Sequence, residues 1–429
     1  RHWNYIIFIV LLISFSCENK QDKLPAGDLD NGGLIIPGGF EALVVIDSAG
    51  PTRHITVNDN GDIYAKLRFS RDKKGGTIGM RDLNGDGKAD SVVRFGDYES
   101  VGGSAVGVTI HNGYLYTSTV TQVLRNKLSP GELIPSSKTE VILTDAHPNV
   151  ARNWHTTKPA AFKGNMYIPF GSPSDAGQDI EIYGPTGTPE GKGLDPSPER
   201  EMNAGVWKFD ANKEGQFQSD GIKYATGLRS IVGMTWSPLD DQLYGVVNGI
   251  DNFHTLYPKL YSSWQAAVLP SEKLVKITEG ADFGWPYAYY DHLQGKNVLS
   301  PGYGGDGKII GRAADYDNPV VGFPGHWAPM DLHFYQGNQF PERYNQGVFV
   351  AFHGSTDRSP YPQAGFIVCF VPLDNGVAGD WEVFADGFAR VDTVENTGDA
   401  KYRPMGLAEG PDGSLYISDS NKGKIWRVM

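Results

Sequence analysis

His155 is the first residue in this chain whose type and setting suggest chemistry. It stands in Trp154-His155-Thr156-Thr157-Lys158, ahead of a run that reads as a strand. An imidazole with its pKa near neutrality, at the entering end of a strand, can take a proton from an alcohol. Beside a tryptophan it also reads as a packed structural residue. Cations recur at comparable positions. Arg229 follows Gly227-Leu228, Arg358 follows His353-Gly354-Ser355-Thr356-Asp357, and Lys401 and Arg403 flank Tyr402. Two positive charges around one ring, in an acidic protein, predict a bound anion.

Two stretches have metal-ligand character. Asn248-Gly249-Ile250-Asp251 offers backbone carbonyls. Asp82-Leu83-Asn84-Gly85-Asp86, continuing to Asp90, sets oxygens at alternate positions around a glycine, like the first half of a calcium loop. The twelfth loop position is Val93 rather than a bidentate glutamate, so Asp82, Asn84, Asp86 and Asp90 read either as a structural Ca²⁺ site or as a metal-free Asx-rich turn.

The elements that must position these groups are short strands. Gly410-Pro411-Asp412-Gly413 between β-forming runs is a hairpin turn in which Pro presets one dihedral, Asp bonds locally and Gly takes positive φ. Five related turns occur at Asn60-Gly61, Asn112-Gly113, Lys163-Gly164, Asp241-Gln242 and Gln346-Gly347. Six copies at roughly blade-length spacing predict an all-β, six-bladed β-propeller over residues 34–429. The strand-like residues 40–46 precede the first copy, and we expect them to close the ring against residues 424–428.

Composition agrees. The chain has 54 glycines and 12% aromatic residues, and long helix-period segments are scarce. With 38 basic against 50 acidic side chains the net charge is −12, which argues against nucleic acid as a partner. Cys17 and Cys369 are too far apart in sequence to suggest a disulfide framework. Residues 1–17 read as a secretory signal ending in a lipobox-like Ser14-Phe15-Ser16-Cys17, and residues 18–33 as a flexible tether. The expectation is an exported protein, lipid-anchored at Cys17 in a bacterial envelope.

In their order, His155-x-x-Lys158, Gly227-Leu228-Arg229, Gly284-Trp285-Pro286, His326-Trp327-Ala328-Pro329, His353-Gly354-Ser355 and Arg403-Pro404 resemble the soluble sugar dehydrogenases that depend on pyrroloquinoline quinone (PQQ), particularly the glucose/sorbosone branch. The resemblance implies a propeller with PQQ across its mouth and a sugar, or a sugar-derived aldehyde or alcohol, as substrate. It implies His155 as general base and Arg229 beside the quinone oxygens. The carbonyls of Gly249 and Ile250 would hold a PQQ-linked Ca²⁺, and Arg358, Lys401 and Arg403 would meet the carboxylates of PQQ. The sequence contains no Cys-x-x-Cys-His, so electrons would pass to an external acceptor, a cytochrome or quinone pool. It departs from the family at Ser230, where Asn is frequent, at Lys158, where Arg is common, and at Gly102-Gly103-Ser104, where glucose-type enzymes place a glutamine.

Two other readings stay open: a non-catalytic surface propeller that binds glycan or protein, and a Ca²⁺-dependent lactonase-like hydrolase. The second wants acidic residues at the inner mouth, where the motifs mostly offer Arg, Lys and His. Residues 184–201, 253–264 and 287–292 are long enough to rim the mouth, where their aromatics could stack on a sugar or simply pack on their own blades.

Overall fold

Five of the six expected turns join the first and second strands of separate sheets, whereas in the fifth blade a longer connection with the 3-10 helix Glu342–Asn345 leads from His333 to Gly347; the sheets follow one another around an axis as a six-bladed propeller. The computed structural model describes residues 24–68, 76–96, 98, 105–147, 155–251 and 253–429. The signal-like segment with Cys17, and Gly102 to Ser104, lie outside these residues.

The innermost strands, in blade order, are Thr52–Val57, Ala161–Lys163 and Pro329–His333 on odd blades, with Val108–His111, Ile231–Trp236 and Pro404–Glu409 on even ones. They crowd the axis, and glycine makes this possible. A Cβ at Gly406 would lie 2.7 Å from the Cα of His54 on the next blade, and one at Gly233 would lie 2.7 Å from the Cα of Asp331.

Blade 6 is completed by the other end of the chain. Ala42–Ile46 pairs antiparallel with Ile425–Val428, in the register Ala42 to Val428 and Val44 to Trp426. This closure leaves no open edge between the first and last blades. Part of the expected tether is built into it. The Asp28 carboxylate accepts from the Val44 amide at 2.8 Å, and Trp426 Nε1 donates to the carbonyl of Gly32 at 3.1 Å. Residues 24–33 are therefore a bonded strap rather than a loose leash, because their polar groups find partners on blade 6.

Between blades, β-branched and aromatic residues alternate inward, as in the cluster of Phe349, Phe370, Phe384, Tyr344 and Trp426. At the axis, Val106, Val232, Met330 and Met405 pack together. They come from blades 2, 4, 5 and 6, so this apolar plug must span the hub. Beyond it, on the side of the hairpin turns, lies a cavity of about 500 Å³ lined by the inner strands, including His54, Asp331, His333 and Glu409.

Candidate functional site

The first strand of each blade enters from the face opposite the hairpin turns, and the second strand returns to it. The loops entering first strands and leaving second strands therefore gather on one mouth, and the motif residues sit on these loops. His155 enters blade 3, Arg229 enters blade 4, His326 enters blade 5 and Arg403 enters blade 6. Asp175, Asp251 and Asp357 follow the second strands of blades 3, 4 and 5.

The mouth has two electrostatic halves. On blades 3 to 5, Arg229 is buried and donates to Asp175, to Asp251 at 2.8 Å, and to the carbonyl of Gly249. Burial alone would lower its pKa, but the two carboxylates more than offset this and hold it above the usual arginine range. Asp251 shows the reciprocal balance: burial raises its pKa, yet Arg229 brings it below the ordinary value. Glu272 accepts from the amides of Gly249 at 2.9 Å and Ala328 at 3.2 Å, and burial pushes its carboxyl up to about 7. Burial and the charges of Asp251 and Asp175 push Asp357 up to about 7 as well.

His155 borders this half, in a small cleft it shares with Asp175, Arg229 and Asp251. Its Nδ1 lies 2.6 Å from the carbonyl of Ser172. A carbonyl only accepts, so Nδ1 carries the proton and Nε2 the lone pair. Desolvation and then the charge of Arg229 lower its pKa to about 3, far from the neutrality expected of it. The ring is thus neutral across the physiological range.

On blades 5, 6 and 1 the mouth is cationic. Arg403 donates from Nε to the carbonyl of His353 at 3.0 Å and from Nη2 to that of Gly354. Burial, then Arg68, lower its pKa to about 10, while burial, Arg68 and Arg403 lower that of Arg53 to about 9. Lys66 is buried beside Arg53 and falls to about 7. Burial and the same three arginines hold His353 well below its usual value. Like charges drive one another's pKa down only when they are close, so this is a concentrated positive field.

The expected set is redistributed by this arrangement. Arg403 lies in the cationic half and Arg229 in the acidic one. Arg358 turns to the rim, where it donates to the carbonyls of Ala267 at 2.7 Å and Pro362 at 3.0 Å. Lys401 is exposed on the outer side, over the ring of Tyr402 at 5.4 Å. The three arginines do not converge; the cluster forms around Arg403 from Arg53 and Arg68, which sequence reasoning passed over. Thr52-Arg53-His54 alternates like any strand, and only closure of the ring brings it beside blade 6.

The carbonyl of Gly249, expected to hold Ca²⁺, is engaged by Arg229. In the loop of Asp82, Asn84, Asp86 and Asp90, the side-chain oxygens of Asp82 accept backbone amides from Gly85 and Gly87 at 2.7 Å each, as an Asx-rich turn does. The carboxylates at the mouth also remove the argument against a hydrolase that rested on their scarcity.

Most aromatics of the long insertions are buried rather than displayed, although Trp264 is half exposed. Phe253, Tyr257, Tyr261 and Tyr289 are buried in a satellite core with Ile250 and Val298. Tyr261 and Tyr289 share a hydroxyl contact of 2.9 Å. Lys158 is likewise structural, buried against Asp145 at 2.6 Å.

The sequence model of a family described as TrAA12-like matches residues 35–429. Among solved structures, a calcium structure of a Trichoderma reesei carbohydrate-active enzyme of family AA12 superposes with a TM-score of 0.71 at 17% identity, covering 96% of this chain and 99% of that one. The holo PQQ domain of pyranose dehydrogenase from Coprinopsis cinerea gives 0.69 at 17% identity, covering 95% and 98%. The soluble aldose sugar dehydrogenase of Escherichia coli, in its apo form, gives 0.58 at 14%, covering 91% and 99%. At these identities the likeness is one of fold. An uncharacterized protein of Borreliella burgdorferi is 28% identical over 208 residues, and the match spans about half of each protein, 48% of either length.

Proposed function

The chain belongs to the TrAA12-like family, and on that premise we propose that it is a PQQ-dependent oxidoreductase acting on a sugar or a sugar-derived aldehyde or alcohol. The observation that carries this reading is the convergence of Arg53, Arg68 and Arg403 across the mouth from His155. Guanidinium groups suit carboxylates, so Arg53, Arg68 and Arg403 are the residues that would hold the carboxylates of the quinone.

The residues fit the quinone, whereas a Ca²⁺ on the carbonyls of Gly249 and Ile250 does not fit as arranged, because Arg229 takes the first of them. When bound, PQQ supplies a two-electron acceptor for hydride. The rest falls to the chain. His155 Nε2 takes the proton of the substrate hydroxyl, with its ring held by the Ser172 carbonyl. Arg229, fixed by Asp175 and Asp251, holds a permanent positive charge beside the imidazole, which favours negative charge developing on the substrate oxygen. Electrons then leave to an external acceptor, a cytochrome or quinone. The same reading keeps the chain at an envelope surface through a lipid on Cys17, which radiolabelled palmitate would test.

The test of function is direct. PQQ is titrated into the purified protein while the quinone absorbance is followed, and dye reduction is then assayed with aldoses, L-sorbosone and polyols. Saturable binding with turnover on at least one of them is expected. No quinone binding would end the proposal. The carboxylates around Asp251 favour a second reading, metal-assisted hydrolysis, and a lactone panel in the absence of quinone separates the two.

A further inference from the structure

We infer that Asp251, His326 and Asp357 form a divalent-metal site of side-chain ligands at the mouth, separate from the Gly249 and Ile250 carbonyls, and that it takes a first-row transition ion such as Zn²⁺ in preference to Ca²⁺. One ligand atom from each residue lies within 4.8 Å of the other two, the one such trio of acidic, His or Cys side chains found among the described residues. The three come from three different loops, so their convergence follows from the fold and not from a local turn, unlike the Asp82 to Asp90 loop.

The surroundings suit a cation. Asp175 and Asp251 both bond Arg229, and Glu272 accepts from the amides of Gly249 and Ala328 beside them, so the carboxylates outnumber the cations here, Arg229 and the rim Arg358. The contact from Arg229 reaches Oδ2 of Asp251. On the same loop, the Asn248 side-chain oxygen is buried with no hydrogen-bond partner. His326 is anchored as metal-binding imidazoles usually are. Its Nε2 lies 2.7 Å from the Ala266 carbonyl, with the Leu269 backbone also against the ring, and Nδ1 is the candidate ligand atom. The residue is also held at a φ of 65°, in the left-handed region, which a non-glycine residue keeps only under constraint.

Ligand chemistry sets the ion. Ca²⁺ prefers six to eight hard oxygens, whereas one imidazole with two carboxylates suits Zn²⁺ or Co²⁺ with positions left for water or substrate. The inference does not require the quinone reading, and its test contains no quinone. The full chain, stripped with chelator, is titrated with Co²⁺ while the visible absorbance is recorded, and Zn²⁺ and Ca²⁺ are then used as competitors. One equivalent of Co²⁺ should bind with nitrogen-and-oxygen-ligand bands, and Ca²⁺ should displace it more than about tenfold less well than Zn²⁺. Asp357→Asn and His326→Gln should each weaken binding at least tenfold, while Asp86→Asn should leave it unchanged. Asp357 sits on a partly exposed loop, so its variant reports even where His326→Gln fails to fold. Absence of Co²⁺ and Zn²⁺ binding overturns the inference, as does undiminished binding in Asp357→Asn or Ca²⁺ competing as well as Zn²⁺.

Discussion

Lys158 and Asp145 meet at 2.6 Å with both side chains almost wholly buried, which ties the strand leaving blade 2 to the loop entering blade 3. His155 lies on that same loop, so the ion pair anchors the segment that carries the imidazole. Replacing Asp145 by Asn leaves a buried ammonium without its counter-charge, and roughly 3–5 kcal/mol of stability should be lost. Urea unfolding measures it. A Lys158→Met, Asp145→Leu double variant should recover much of the loss, since neither charge then stays buried alone.

The cationic half of the mouth predicts quinone affinity. Arg403→Gln and Arg53→Gln should each weaken PQQ binding by about 10- to 100-fold, the range for loss of one charge-assisted hydrogen bond. Lys401→Ala and Arg358→Ala should stay within about twofold of the parent, because one is exposed outside the mouth and the other is tied to rim carbonyls. Absorbance titration distinguishes the four. Equal losses in all of them would show that net charge, rather than this cluster, draws the anion.

His155 makes two separable predictions. His155→Ala should retain quinone and lose turnover by about 10²- to 10⁴-fold. The rate of the parent should show no inflection near pH 6.5 from this residue, because its ring is held near 3 when folded. Stability has a definite sign. A folded pKa below the unfolded one means that the unfolded chain binds the proton first, so stability falls as pH drops from about 6.5 toward 3. Denaturation midpoints at pH 5 and pH 7 should differ less in His155→Gln than in the parent.

Closure of the ring rests heavily on Trp426. It is fully buried, meets Phe388 and Tyr402 edge-on at 5.2 and 5.3 Å, and bonds the carbonyl of Gly32. Trp426→Ala should cost roughly 3–5 kcal/mol. Removal of residues 24–33 should cost less, and in both cases thermal unfolding provides the measure.

How much of this was legible beforehand follows from the range of the forces. Five of the six hairpin turns were readable, because turn chemistry is local: Asn-Gly and Pro-Asp-Gly fix their own dihedrals wherever they occur, whereas Gln346-Gly347 proved to be the end of a longer connection through the 3-10 helix Glu342–Asn345. The closing strand was readable from its alternation and its position before the first repeat. Arg53 and Arg68 were not, since nothing in Thr52-Arg53-His54 distinguishes a hub cation from an ordinary strand residue until blade 6 folds against blade 1. Lys401 misled for the complementary reason. It sits two residues from Arg403 but ahead of the strand Pro404–Glu409, in a loop where no strand alternation carries the two side chains to the same side. The acidic residues at the mouth were visible one by one, but their meeting depends on three separate loops that only the closed ring brings together.

The plug of Val106, Val232, Met330 and Met405 makes this wheel a cup and not a pipe. Among the described residues, whatever reaches His155 arrives and departs through one doorway, with no rear exit into the cavity lined by Asp331 and Glu409. An incoming oxidant and a departing product then compete for the same threshold, and each turnover becomes a matter of taking turns.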